Sequence, residues 1–129
     1  MKNVISTNLA PAAIGPYSQA IEVNGTIYTS GQIPLDPTTG EIVGTTIEEQ
    51  AEQVMQNLKA VLAYAGVGMD CVVKTTCFLA DLADFTAFNE VYGKYFPENP
   101  PARSCFQVAA LPKNAKVEVE VIAVKPQIK

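Results

Sequence analysis

The chain contains no histidine and no tryptophan among its 129 residues. Without histidine, the commonest general base and the commonest transition-metal ligand are both missing. A Ser–His or Cys–His nucleophile pair is excluded for the same reason. Cysteine is scarce too: Cys71, Cys77 and Cys105 are odd in number and form no C-x-x-C pair. They read as reduced thiols of a cytoplasmic protein, not as a disulfide frame or a zinc site. Charged residues make up 17% of the chain, the formal net charge is −4, and no basic cluster is present. That balance argues against electrostatic docking on nucleic acid or on an anionic membrane. No run approaches the roughly 18 apolar residues of a membrane helix. No basic segment leads into an apolar one at the start, so no secretion signal is expected. The length is that of one domain. With 48% apolar residues and few charges, part of the surface is expected to be covered by a second copy of the chain.

What is present falls into a clear order. Val4 and Ile5 form a short strand, and Pro11, Gly15 and Pro16 punctuate the loop up to Tyr17. Ala20–Val23, Asn24-Gly25 and Thr26–Ser30 have the pattern of a β-hairpin with a two-residue turn. A long connection, 33–44, follows Ser30-Gly31. Thr45 and Thr46 each have a glutamate three residues on, so either one heads a capping box. Ala51, Val54, Leu58, Val61, Leu62 and Ala65 predict a helix with one apolar stripe, closed by Gly66. Cys71 to Ala80 reads as a buried strand. Asp81 or Asp84 caps a second helix with the stripe Phe85, Phe88, Tyr92, Tyr95 and Phe96; Asn89 lies at the edge of that stripe. Pro97, Pro100 and Pro101 end it, and two more strands follow. The expected fold class is α+β, a mixed sheet of about six strands with two helices on one face.

The chemistry concentrates in Pro100 to Glu120, P-P-A-R-S-C-F-Q-V-A-A-L-P-K-N-A-K-V-E-V-E. Alternation puts Arg103 and Cys105 on one face of the first strand, and Glu118 and Glu120 on one face of the second. If the two strands pair, a guanidinium, a thiol and a carboxylate meet on one surface. The guanidinium fork suits a small carboxylate, and a glutamate suits a water or a proton. The competing interpretation is a structural Arg–Glu ion pair beside a buried cysteine. Cys105 has no histidine to activate it. Ser30 lacks a neighbouring base and fits a strand end better than a nucleophile; Tyr17 reads as a packed aromatic before a ligand contact. No glycine-rich phosphate loop is present.

Four stretches together resemble the signatures of the RidA (YjgF) family of reactive-intermediate deaminases. They are Pro100–Glu120, I-G-P-Y-S-Q-A at 14–20, T-S-G-Q-I-P-L-D-P-T-T-G at 29–40 and D-L-A-D-F-T-A-F-N-E-V-Y at 81–92. The similarity spans essentially the whole chain as a single domain, 1–129. It implies a chorismate-mutase-like fold and a homotrimer with pockets between subunits. The implied activity is hydrolysis of 2-iminobutyrate and 2-iminopropionate, the latter derived from 2-aminoacrylate, to 2-keto acids and ammonia. This is metabolite damage control in the cytoplasm with no metal or cofactor. The family's arginine falls on Arg103, its cysteine on Cys105 and its glutamate on Glu118; Tyr17, Ser30 and Asn89 match its other site positions, with Gly31 after the serine. Catalysis is expected from Arg103 and Glu118, and substrate binding from Tyr17, Ser30, Gly31, Asn89, Arg103 and Cys105. Phe106-Gln107 departs from the commoner aliphatic–acidic pair. The alternatives are a non-catalytic trimer that binds small keto acids as a sensor or holdase, or an endoribonuclease and translation inhibitor.

Overall fold

The computed structural model describes residues 1–127 and begins with a short strand, β1 (Asn3–Ile5). The expected hairpin follows as β2 (Ala20–Val23) and β3 (Thr26–Thr29). Asn24 and Gly25 hold φ of 51° and 83°, the left-handed values that a type I′ turn demands at both central positions. Helix α1 covers Ile47–Ala65. Of the two candidate caps, Thr46 is the one used. Its hydroxyl accepts from the Glu49 N–H while Glu49 reaches back to the Thr46 N–H, an arrangement whose loss costs about 1 kcal/mol. Gly66 ends the helix at φ 94°. Strand β4 (Val72–Leu79), helix α2 (Phe85–Tyr95), strand β5 (Ala102–Gln107) and strand β6 (Val117–Val124) complete the chain.

The six strands form one mixed sheet in the order β1-β2-β3-β6-β4-β5. All neighbours are antiparallel except β4 and β5, which are parallel and joined through α2. Both helices pack on one face. Ala51, Val54, Met55, Leu58 and Leu62 of α1 meet Val117, Val119, Val121 and Ala123 of β6 in the same buried core. On the other face, register places Val4, Ile21, Tyr28 and Ile122 in one row across four strands. Val4 is 60% exposed and Tyr28 47%, so this row lies open.

One expectation is corrected here. The two chemistry-bearing strands do not pair, because β4 lies between them. Cross-strand neighbours share a face. Arg103 and Val121 both neighbour Thr75, and Cys105 and Val119 both neighbour Cys77, which is buried on the helix side. Glu118 neighbours Phe78, and Glu120 neighbours Thr76, on the open side. Arg103 and Glu118 therefore sit on opposite faces of the sheet, two strand spacings or about 10 Å apart across it.

Candidate active site

The predicted site residues form two separate groups. The first lines an open-face cleft of about 490 Å³ bounded by Tyr17, Ser30, Gly31, Glu118 and Glu120, with Ile33 and Pro112 as apolar walls. Its geometry follows from a two-residue bridge: Gln32 N–H donates to Val119 C=O at 2.8 Å, and Val119 N–H to Gln32 C=O at 3.1 Å. That bridge lays Gly31 directly against Glu118. A methyl group on Gly31 would fall 2.8 Å from Glu118 Cδ and closer still to its Oε2, so only glycine admits the carboxylate here. Burial pushes the Glu118 pKa above the ordinary carboxylate value, and the neighbouring Glu120 charge pushes it further the same way. Glu120 is the more exposed of the pair. Ser30 donates its hydroxyl hydrogen to Ser18 C=O at 2.6 Å; its lone pairs remain available as acceptors. Tyr17 is held at the cleft mouth, its hydroxyl accepting from Ile14 N–H at 3.3 Å.

The second group lies on the helix face at the β5 edge. Arg103 Nη1 donates to Asn89 Oδ1 at 2.7 Å. Its Cζ stands 4.8 Å from the Tyr92 ring centroid and 5.3 Å from that of Phe85. Among the described residues the single ion pair is Lys125 with Glu22 at 3.0 Å. Arg103 thus has no carboxylate partner among them, and the structural Arg–Glu ion pair does not form. Cys105 is half-buried; burial pushes its thiol up, partly offset by Arg103. Its neighbour Cys77 is pushed up to about 12, mainly by burial. Both thiols stay protonated near neutral pH, which makes neither a nucleophile.

A sequence model described as endoribonuclease L-PSP matches residues 7–125. The mouse 2-iminobutanoate/2-iminopropanoate deaminase is 52% identical over 125 residues, which are 97% of this chain and 93% of that protein. The chain belongs to the RidA family. The chloroplastic Reactive Intermediate Deaminase A of Arabidopsis thaliana is 55% identical over 122 residues, 95% of this chain and 65% of that protein. Among solved structures, E. coli TdcF with bound serine superposes with a TM-score of 0.92 at 44% identity, covering 96% of this chain and 99% of that one.

Several residues of this RidA-family chain bear on the site although the sequence alone does not mark them as site residues. Gln19 is buried, and its carboxamide accepts from Thr7 N–H and donates to the carbonyls of Thr7, Ala10 and Pro11. It ties down the loop that carries Tyr17. Asn57 of α1 donates to Ile33 C=O and Leu35 C=O, fixing the cleft wall after Gly31. Lone glutamine and asparagine residues give no periodic signal, so neither stood out. Phe85 and Tyr92 had read as core stripe alone. The i, i+4, i+7 spacing of Phe85, Asn89 and Tyr92 is the signal that places all three together.

Proposed function

We propose that this protein is a 2-iminobutanoate/2-iminopropanoate deaminase, hydrolysing short 2-imino acids to 2-keto acids and ammonia. The observation that carries the reading is Arg103: half-buried, held in place by neutral groups, and without a counter-ion among the described residues. Such a guanidinium is a receptor for a ligand's carboxylate. Serine in the E. coli TdcF structure is a small carboxylic acid of the same class. The names of the mouse and Arabidopsis relatives supply the reaction.

In this mechanism Arg103 grips the substrate carboxylate through its free N–H groups and so positions C2. Glu118, whose raised pKa makes it a better base, takes a proton from a water that attacks C2 of the iminium. The resulting carbinolamine carries both the new hydroxyl and the amino group. Glu118 returns the proton to nitrogen. As the C–N bond breaks and ammonia leaves, the carbinolamine hydroxyl gives its proton to Glu118 and the keto C=O forms. Glu118 then passes that proton to the departing ammonia as ammonium. Ser30 accepts from the substrate's N–H, while Tyr17 and the backbone about Gly31 and Cys105 close around the tetrahedral centre.

Since Arg103 and Glu118 lie on opposite faces of one sheet, the site needs two copies of the chain. We assign a homotrimer of chorismate-mutase-like domains, each the full 1–129, with one site in each cleft between subunits. Support comes from the open row of Val4, Ile21, Tyr28 and Ile122, an apolar strip suited to a neighbouring sheet. Its three free cysteines fit a reducing compartment such as the cytoplasm.

The test is a coupled assay. A pyridoxal-phosphate threonine dehydratase releases 2-iminobutyrate, and semicarbazide traps whatever imine survives. Purified protein is expected to divert the imine to 2-ketobutyrate and to lower the trapped product, while Arg103→Ala does not. Unchanged trapping with the unaltered protein sinks the deaminase reading. Tight 2-ketobutyrate binding without turnover would then favour a sensor.

A further inference from the structure

Helix α2 presents Phe85, Asn89 and Tyr92 on one face, and all three reach Arg103. Tyr92 is itself fixed from below. Its hydroxyl shares a buried 2.8 Å hydrogen bond with Thr75 Oγ1, and Thr75 is the β4 neighbour of Arg103. The guanidinium therefore meets two ring faces and a carboxamide, none of them negatively charged. A charge withdrawn from water is ordinarily paired with an opposite charge. Here the electron-rich ring faces attract the cation without cancelling its charge. They also cover it from water, which strengthens its pull on an incoming anion.

We propose that Phe85, Asn89 and Tyr92 form a charge-neutral cage that positions Arg103 and keeps its charge uncompensated for a ligand carboxylate. Phe85 and Tyr92 are positioning residues, since they act through Arg103. Asn89 sets the rotation of the fork by occupying Nη1, leaving the other N–H groups for the ligand. The proposal rests on reading Arg103 as the carboxylate receptor and adds what makes it one. A carboxylate at position 89 would satisfy the same nitrogen and supply the missing counter-ion, closing the receptor.

Three variants decide it, with 2-ketobutyrate binding measured by calorimetry beside imine turnover. Phe85→Leu is expected to weaken binding about 3-fold to 5-fold, the size of one cation–π contact. KM should rise to match, with kcat within about twofold because the reacting atoms are untouched. Phe85→Tyr keeps a ring face and should restore both. Asn89→Asp is isosteric and should weaken binding by about 10-fold or more. The cage is overturned if Phe85→Leu or Asn89→Asp binds 2-ketobutyrate as tightly as the unaltered protein. Failure of Phe85→Tyr to restore what Phe85→Leu loses overturns it as well, as does an unaltered protein that does not bind the keto acid. If Phe85→Leu does not fold, Asn89→Asp alone decides the matter. A protein that binds 2-ketobutyrate in the expected order of variants but leaves imines intact upholds the cage and removes the deaminase reading.

Discussion

On the helix side of the sheet, Arg103 is surrounded by neutral partners, whereas on the open side Glu118 lies half-buried beside a second carboxylate. Both groups are held away from an opposite charge, but by different means. Arg103 is held by side chains: a carboxamide and two aromatic rings from one helix. Glu118 is held by backbone, pressed against Gly31 by the Gln32–Val119 bridge. The cation, with only neutral groups against it, is left receptive to an anion. The carboxylate is made reluctant to ionise and so more willing to take a proton. On the mechanism proposed above, the first group binds and the second moves protons.

The largest effect should come from removing the binding half. Arg103→Ala, and Arg103→Lys with charge but no fork, should each lower kcat/KM for imine hydrolysis by about 100-fold or more. Near-normal turnover in Arg103→Lys would break the distinction between a fork and a point charge. Mixing tests whether the halves come from different chains. Arg103→Ala and Glu118→Ala are each expected to be nearly inactive. Denatured together in equal amounts and refolded, they should regain about a quarter of the unaltered activity, because each half of a shared site is intact in half the subunits. No recovery would place the whole site within one chain.

Gly31→Ala sharpens the backbone side. The added methyl meets the flexible end of Glu118, so the side chain swings away at little cost to stability. Thermal melts should change little, while kcat falls by about 10-fold to 100-fold because the base is misplaced. A large loss of Tm with kcat preserved would reverse the assignment. The smallest effect is on stability against pH. A carboxyl with a folded pKa above its ordinary 4.5 favours the folded state below that value, and the benefit is lost as pH rises through the raised pKa. Glu118→Gln should therefore melt slightly higher than the unaltered protein at pH 7, and the gap should close as pH falls to 4.5. A gap that widens towards acid would mean that Glu118 is stabilised as the anion.

Much of this molecule was readable in advance. Both helices, the Asn24-Gly25 turn, a capping box headed by Thr45 or Thr46 and all six strands follow from period, capping and turn chemistry, which are local. The types of the site residues were readable as well. Arg103 shares a face with Cys105, and Glu118 with Glu120, because alternation along a strand is a property of that strand alone. What the order of residues could not determine was which strand lies beside which. Periodicity carries no term for long-range pairing, so the interposition of β4 and the split of Arg103 from Glu118 across the sheet emerged only in the folded chain. The same holds for Phe85 and Tyr92, whose spacing marks a buried stripe equally well whether the stripe covers a core or an arginine. Which of these it does depends on the parallel placement of β5 next to β4. That placement brings the cation of one strand over the rings of a helix, and it exists only once the sheet has formed.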